Sequence, residues 1–71
     1  MDLPIEEREI TTLALKQLSP RVREAFLLSL VGYNEVEAGM IMGIARQTAG
    51  QYVQQARVRL AEWRNSYLAG G

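Results

Sequence analysis

A helix start signal and a helix stop signal lie close together in the middle of this chain, at Asn34 and Gly43. The side chain of Asn34 can accept a hydrogen bond from the first turn of a helix, and Glu37 stands where it completes a capping box. Glycine ends helices because it adopts a left-handed backbone without a steric penalty. The sequence therefore predicts a short helix over 35–42, which is about two turns long.

A second helical pattern begins at Arg46, directly after the glycine. Its apolar residues recur at steps of three and four, which is typical of one face of a helix. They are Ala49, Val53, Ala56, Leu60, Trp63 and Tyr67. We therefore predict a long helix over 46–66. Two helices joined by a short turn with glycine form a helix-turn-helix motif, here over about 34–60. The same pattern also fits a helical hairpin with no role in DNA binding.

Two glycines have different expected roles in this motif. Gly39 lies inside the first helix, where a small residue lets the second helix cross closely. Gly43 lies in the turn and is expected to have a positive φ. On this basis alanine is predicted to be tolerated better at Gly39 than at Gly43.

Two earlier helices are predicted over 5–17 and 20–31. Proline suits the first turn of a helix, where its missing N–H needs no partner, and Pro4 and Pro20 lie at these starts. Ser19 is the expected N-cap of the second of these helices. The residues predicted to form the core are Phe26, Leu27, Leu30, Ala38, Ile41, Met42, Ile44, Val53, Ala56 and Leu60.

Length and composition favour a single small domain over 1–71. Hydrophobic residues make up 48% of the chain, which is typical of a packed domain. No segment shows sustained alternation of apolar and polar residues, so no strand is predicted. The expected fold class is all-α, a small four-helix helix-turn-helix domain. The chain has no cysteine and no histidine, which excludes a disulfide framework and the usual zinc finger. No cofactor and no metal site is expected.

The charge distribution gives limited support to nucleic-acid binding. The formal net charge is zero, but from Leu18 onward six arginines stand against four glutamates. A DNA-binding domain gains affinity by neutralising phosphates, so this local excess is favourable but small.

Several other classes of protein are not expected. No catalytic histidine or cysteine and no glycine-rich phosphate loop is present, so neither an enzyme nor a small-molecule substrate is predicted. The chain has no apolar stretch long enough for a membrane span, and its first residues lack the pattern of a secretory signal. A cytoplasmic protein without membrane contact is the expectation.

Four segments occur in an order that is similar to one known family. They are Leu-Ser-Pro-Arg-Val-Arg-Glu-Ala-Phe-Leu-Leu at 18–28, Gly-Tyr-Asn-Glu-Val-Glu at 32–37, Gly43-Ile44 with Thr48, and Ala-Arg-Val-Arg-Leu at 56–60. Together they resemble region 4 of bacterial sigma factors of the sigma-70 family, and the extracytoplasmic-function group is the most similar. The resemblance implies a domain that recognises the promoter −35 element in double-stranded DNA and binds the flap of RNA polymerase. It also implies a surface that anti-sigma factors often cover.

A helical projection of the last helix predicts the groove-facing residues. With Val53 inward, the outward residues are Gln47, Gln51, Gln54, Gln55 and Val58. Glutamine can bind adenine through two hydrogen bonds in the major groove, so Gln47, Gln51 and Gln54 are the predicted base contacts. The predicted phosphate contacts are Arg23, Arg46, Arg57 and Arg59. A solvated polar face and surface salt bridges are the alternatives. Trp63 and Tyr67 are expected to form a hydrophobic seam, within the monomer or across a dimer.

Three positions differ from the pattern that the resemblance implies. Ala45 stands where the family usually has serine or threonine, and Gly50 and Tyr52 stand where it has basic residues. Two alternatives therefore stay open. One is a sigma-like protein-interaction module that binds an anti-sigma factor or polymerase without reading DNA, and the other is a small phage transcription regulator of the same fold.

Overall fold

The computed structural model describes residues 12–70, and these form helices joined by short turns. Residues 12–16 are helical and are called α1; they are followed by α2 (Pro20–Val31), α3 (Glu35–Met42) and α4 (Arg46–Gly70). The described residues contain no strand, so the predicted all-α, four-helix fold is confirmed. The predicted bounds of α2 and α3 are correct, and α4 continues beyond the predicted end at residue 66. The predicted start of the first helix at Pro4 lies outside the described residues.

Helices α2 and α3 both end at a glycine with a left-handed backbone, which the sequence predicts at Gly43. Gly32 has φ 117° and Gly43 has φ 70°. After α2 the N–H of Tyr33 donates to the carbonyl of Leu28 over 3.1 Å. This bond, together with that from the Gly32 N–H to Ser29, forms a Schellman motif. The motif pairs carbonyls that the end of the helix would otherwise leave without partners.

The two helix starts differ in how their caps are made. Oδ1 of Asn34 accepts a hydrogen bond from the N–H of Glu37 over 2.8 Å, and Oε1 of Glu37 accepts one from the N–H of Asn34 over 3.0 Å. The predicted capping box is therefore confirmed. The predicted side-chain cap at Ser19 is wrong, because its hydroxyl forms no cap hydrogen bond. Only the Ser19 carbonyl takes part, accepting from the N–H of Arg23 over 2.8 Å.

Helix α4 packs against both α2 and α3, and small side chains form much of the contact. The buried hydrophobic residues of the described part are Leu18, Val22, Ala25, Ala38, Met42, Ala49 and Ala56. Ala25, Ala49 and Ala56 have no exposed surface. Alanine at these positions lets the helix axes approach closely. None of the described helices combines the length and the hydropathy that a bilayer crossing requires.

The predicted core is partly wrong. Ala38, Met42 and Ala56 are buried, while Phe26, Ile44, Val53 and Leu60 are half-buried. Leu27, Leu30 and Ile41 are exposed to 39%, 66% and 51%. These larger side chains face outward because α2 and α3 turn their alanines toward α4. The predicted core omits Leu18, Val22 and Ala25, which are buried. Ala49 is also buried, as its place on the apolar face predicted for the last helix indicates.

Candidate nucleic-acid interface

The turn between α3 and α4 holds the two helices in close contact. Gly43 starts the turn in the left-handed conformation, and the N–H of Ile44 donates back to the carbonyl of Gly39 over 2.9 Å. A Cβ atom on Gly39 would lie 2.9 Å from the carbonyl oxygen of Ile44 and 3.3 Å from Cα of Arg46. Both neighbours are backbone atoms, so the close crossing predicted at Gly39 is present and leaves no room for a side chain.

A long-range hydrogen bond ties this turn to α2. Nη2 of Arg21 donates to the carbonyl oxygen of Met42 over 2.9 Å, and Nη1 of Arg21 pairs with Glu24 over 3.0 Å. The carbonyl of Met42 is at the end of α3, where helix carbonyls have no partner within the helix. Sequence reasoning missed this contact. The partners are far apart in the chain, and no local pattern connects them.

The outer surface of α4 carries exposed amides. Gln47, Gln51 and Gln54 are exposed, as is the nearby Gln55, while Val58 is 50% exposed. Val53, which the projection placed inward, is half-buried. One side of the first four turns of α4 therefore presents an uncharged, hydrogen-bonding surface of the size of a recognition helix.

A groove of about 450 Å³ runs beside this amide surface, between α4 and the start of α3. Its α4 side is formed by Arg46, Gly50, Val53, Gln54 and Arg57, and the other side includes Asn34 and Glu35. Residues separated by three, four or seven positions share one side of a helix, so the groove brings Arg46, Gln54 and Arg57 together. Two of the four predicted phosphate contacts thus lie next to one of the predicted base contacts.

The other two predicted phosphate contacts are bonded within the protein. Nε of Arg23 donates to the carbonyl of Leu15, and its Nη2 donates to the carbonyl of Leu18, each over 3.1 Å. These bonds hold the end of α1 against α2, which favours a structural role for Arg23. Nη2 of Arg59 donates to Oε1 of Gln17 over 3.5 Å, a long and exposed contact. Arg59 is therefore less constrained than Arg23.

Trp63 and Tyr67 lie in the last part of α4 and stack on each other, with ring centroids 5.2 Å apart. Trp63 is half-buried and Tyr67 is 47% exposed. They form an aromatic pair along one helix, well beyond the amide surface. A seam with a second copy stays a prediction.

The comparison with protein families decides what kind of domain this is. The family model described as "Sigma-70, region 4" matches residues 8–60, which include the helix-turn-helix and α2. The chain belongs to the sigma-70 region 4 family. Neither the comparison with curated proteins nor the comparison with solved structures found a match. A region 4 domain has a role in transcription, through DNA binding and interaction with RNA polymerase, and the family is not a class of enzymes.

Proposed function

We propose that this region 4 domain reads a promoter −35-like element with α4 in the major groove and contacts RNA polymerase at the same time. The observation that carries the proposal is the exposed row of Gln47, Gln51 and Gln54 on one side of α4. Each of these amides can donate and accept, which suits the N7 and N6 groups of adenine. Its place of action is then the cytoplasm.

The arginines beside this row are the proposed phosphate contacts. Arg46 and Arg57 line the groove next to Gln54, and Arg59 is exposed on the same helix. Phosphate contacts position a recognition helix without reading sequence, and each one adds to the salt dependence of binding. Arg23 belongs to the predicted set, but its guanidinium already bonds two carbonyls of the protein. It is expected to contribute less than the other three.

The proposal is tested by titrating fluorescent duplexes with the whole chain at low and moderate salt. We expect dissociation constants of about 1 μM or weaker, because few phosphate contacts are available and the net charge is zero. Arg57→Ala should weaken binding to all duplexes and reduce the salt slope by about one unit. Arg64→Ala is the matched control, since Arg64 is an exposed arginine of α4 that does not line the groove.

Two results would contradict the proposal. One is the absence of duplex binding by the wild type even at low salt. The other is an equal effect of Arg57→Ala and Arg64→Ala. Equal effects would mean that DNA affinity depends on the net charge of the domain and not on whether the arginine lines the groove.

A second candidate function is a protein-interaction module that binds an anti-sigma factor or polymerase without reading DNA. The observation that favours it is the apolar surface that α2 and α3 expose. Leu30 and Val31 of α2 are 66% and 75% exposed, and Met40 of α3 is 79% exposed. Exposed apolar patches often mark protein contacts. Binding of a polymerase flap or anti-sigma fragment that Leu30→Ser weakens, in a chain that binds no duplex, would favour this candidate.

A further inference from the structure

The side chain of Glu35 lies against Gly50 across the groove. Glu35 is the first residue of α3, and Gly50 lies inside α4. A Cβ atom on Gly50 would be 2.8 Å from Cδ of Glu35 and 2.9 Å and 3.0 Å from its two carboxylate oxygens. The carboxylate therefore rests against the bare backbone of α4, in space that any residue larger than glycine would need.

This carboxylate lies among the groups that the proposed function assigns to DNA. Arg46 is one turn before Gly50 and Arg57 is two turns after it, and both line the same groove as Glu35. No ion pair joins Glu35 to either of these two described arginines. The negative charge thus stands between them without being neutralised by direct contact.

We propose that Glu35 limits the DNA affinity of this domain, an inference that rests on the proposed function. A phosphate that approaches Arg46 and Arg57 meets the Glu35 carboxylate in the same groove. The like charges repel, and the carboxylate must move before the phosphate can come close. The repulsion does not depend on base sequence, so it lowers affinity for every duplex.

Low intrinsic affinity has a consequence for how such a domain works. A domain that binds its promoter weakly on its own depends on a second contact, which raises the effective concentration of DNA around it. Contact with RNA polymerase supplies that second site in the proposed function. Glu35 would then favour promoter binding within the polymerase complex over binding by the free domain.

The first test compares Glu35→Gln with Glu37→Gln in duplex titrations of the whole chain. Both changes remove one negative charge from the first turn of α3. Glu37 points instead to the N–H of Asn34, and glutamine keeps an oxygen that can accept this hydrogen bond. Glu35→Gln should tighten binding to all duplexes by about threefold to tenfold at low salt and steepen the salt slope by up to about one unit. Glu37→Gln should change affinity by less than about twofold, since its charge is not in the groove.

The second test measures the contact itself without DNA. Gly50→Ala is made in the wild type and in a Glu35→Ala background, and thermal melting is followed for each. Alanine favours a helix more than glycine does, so it should raise the melting temperature where space allows. We expect the larger increase in the Glu35→Ala background. An equal increase in both would show that the exposed Glu35 carboxylate is not held against Gly50 and would overturn the inference.

The DNA results separate failure of this inference from failure of the proposed function. If the wild type binds duplexes in a salt-dependent way and the two glutamine variants behave alike, the inference is wrong and the proposed function stands. If Glu35→Gln alters preference at one base pair, with no general gain, Glu35 reads a base and the inference is wrong. If neither the wild type nor any variant binds duplex at low salt, both fail.

Discussion

Nη2 of Arg21, near the start of α2, donates a 2.9 Å hydrogen bond to the carbonyl oxygen of Met42, at the end of α3. The bond is partly buried and links α2 to the turn that sets the angle between α3 and α4. The orientation of the helix-turn-helix therefore depends on a residue outside the motif itself.

Arg21→Ala should destabilise the domain by about 1–2 kcal/mol, because it removes a charged donor from a helix-end carbonyl. Arg21 also pairs with Glu24, and both side chains are about half exposed, so Glu24→Gln is the matched control. It removes the ion pair and leaves the bond to Met42, and should cost less than about 0.5 kcal/mol. Chemical denaturation measures both. Equal losses would mean that the exposed ion pair, and not the bond to Met42, accounts for the effect.

The two caps of α2 and α3 should respond differently to the same kind of substitution. Asn34→Ala removes an oxygen that accepts from the N–H of Glu37, and should cost about 1 kcal/mol. Ser19→Ala removes a hydroxyl that forms no cap bond, and should change stability by less than about 0.5 kcal/mol. Comparing the two variants in urea unfolding checks the prediction, and a loss at Ser19 as large as that at Asn34 would contradict it.

The space around the two motif glycines reverses the order of tolerance that the sequence favours. At Gly43 a Cβ would have no neighbour within 4 Å. The loss of stability in Gly43→Ala therefore comes mainly from placing alanine at φ 70°, which costs about 1–2 kcal/mol. At Gly39 a Cβ would meet the Ile44 carbonyl at 2.9 Å, and the turn must move. Gly39→Ala should therefore cost more, about 2–3 kcal/mol. Thermal melts rank the two variants. A higher melting temperature for Gly39→Ala than for Gly43→Ala would contradict the close backbone contact at Gly39.

The alanine contacts of α4 predict sensitivity to larger side chains. Ala56 is fully buried and packs with Leu18 and Val22, so Ala56→Leu should cost about 1–3 kcal/mol through overpacking. Ala61 is exposed on the same helix, and Ala61→Leu should change stability by less than about 0.5 kcal/mol. The two substitutions change the intrinsic helix propensity by the same amount, so a difference in stability between them reports on packing. Equal melting temperatures for the two would mean that the contact between α2 and α4 accommodates leucine at position 56 without overpacking.

Local signals in the sequence were sufficient for the bounds of α2 and α3 and for the start of α4. The capping box at Asn34 and the left-handed glycines act within a few residues, so their effect can be predicted without the fold. The amide surface of α4 was also predictable, since helical periodicity alone separates Gln51 from the inward side. Each of these features depends on spacing along one helix.

Features that depend on two helices were not predictable in the same way. The core prediction favoured large side chains such as Leu30, which is exposed, whereas the contacts of α4 are made by alanines. Which side chains are buried depends on how closely the helices cross, and the sequence of one helix does not show this distance. In the sequence Gly50 stands out only as a position where the family has a basic residue, and Glu35 has no assigned role. Their proximity becomes visible only when α3 and α4 are brought together.

The last prediction concerns base reading by α4. Gln51 lies in the middle of the exposed amide row, so Gln51→Ala should relax the sequence preference by about 1–3 kcal/mol at one base pair and leave stability unchanged. Gln55 is equally exposed and follows Gln51 by one turn, at the edge of the amide surface, but it is not among the predicted base contacts. Gln55→Ala is therefore the matched control and should leave the preference intact. Competition between a selected duplex and its single-base variants measures both. If Gln55→Ala relaxes the preference and Gln51→Ala does not, α4 enters the groove with a different face, and the arginines of the α3–α4 groove are not the ones that hold the phosphates.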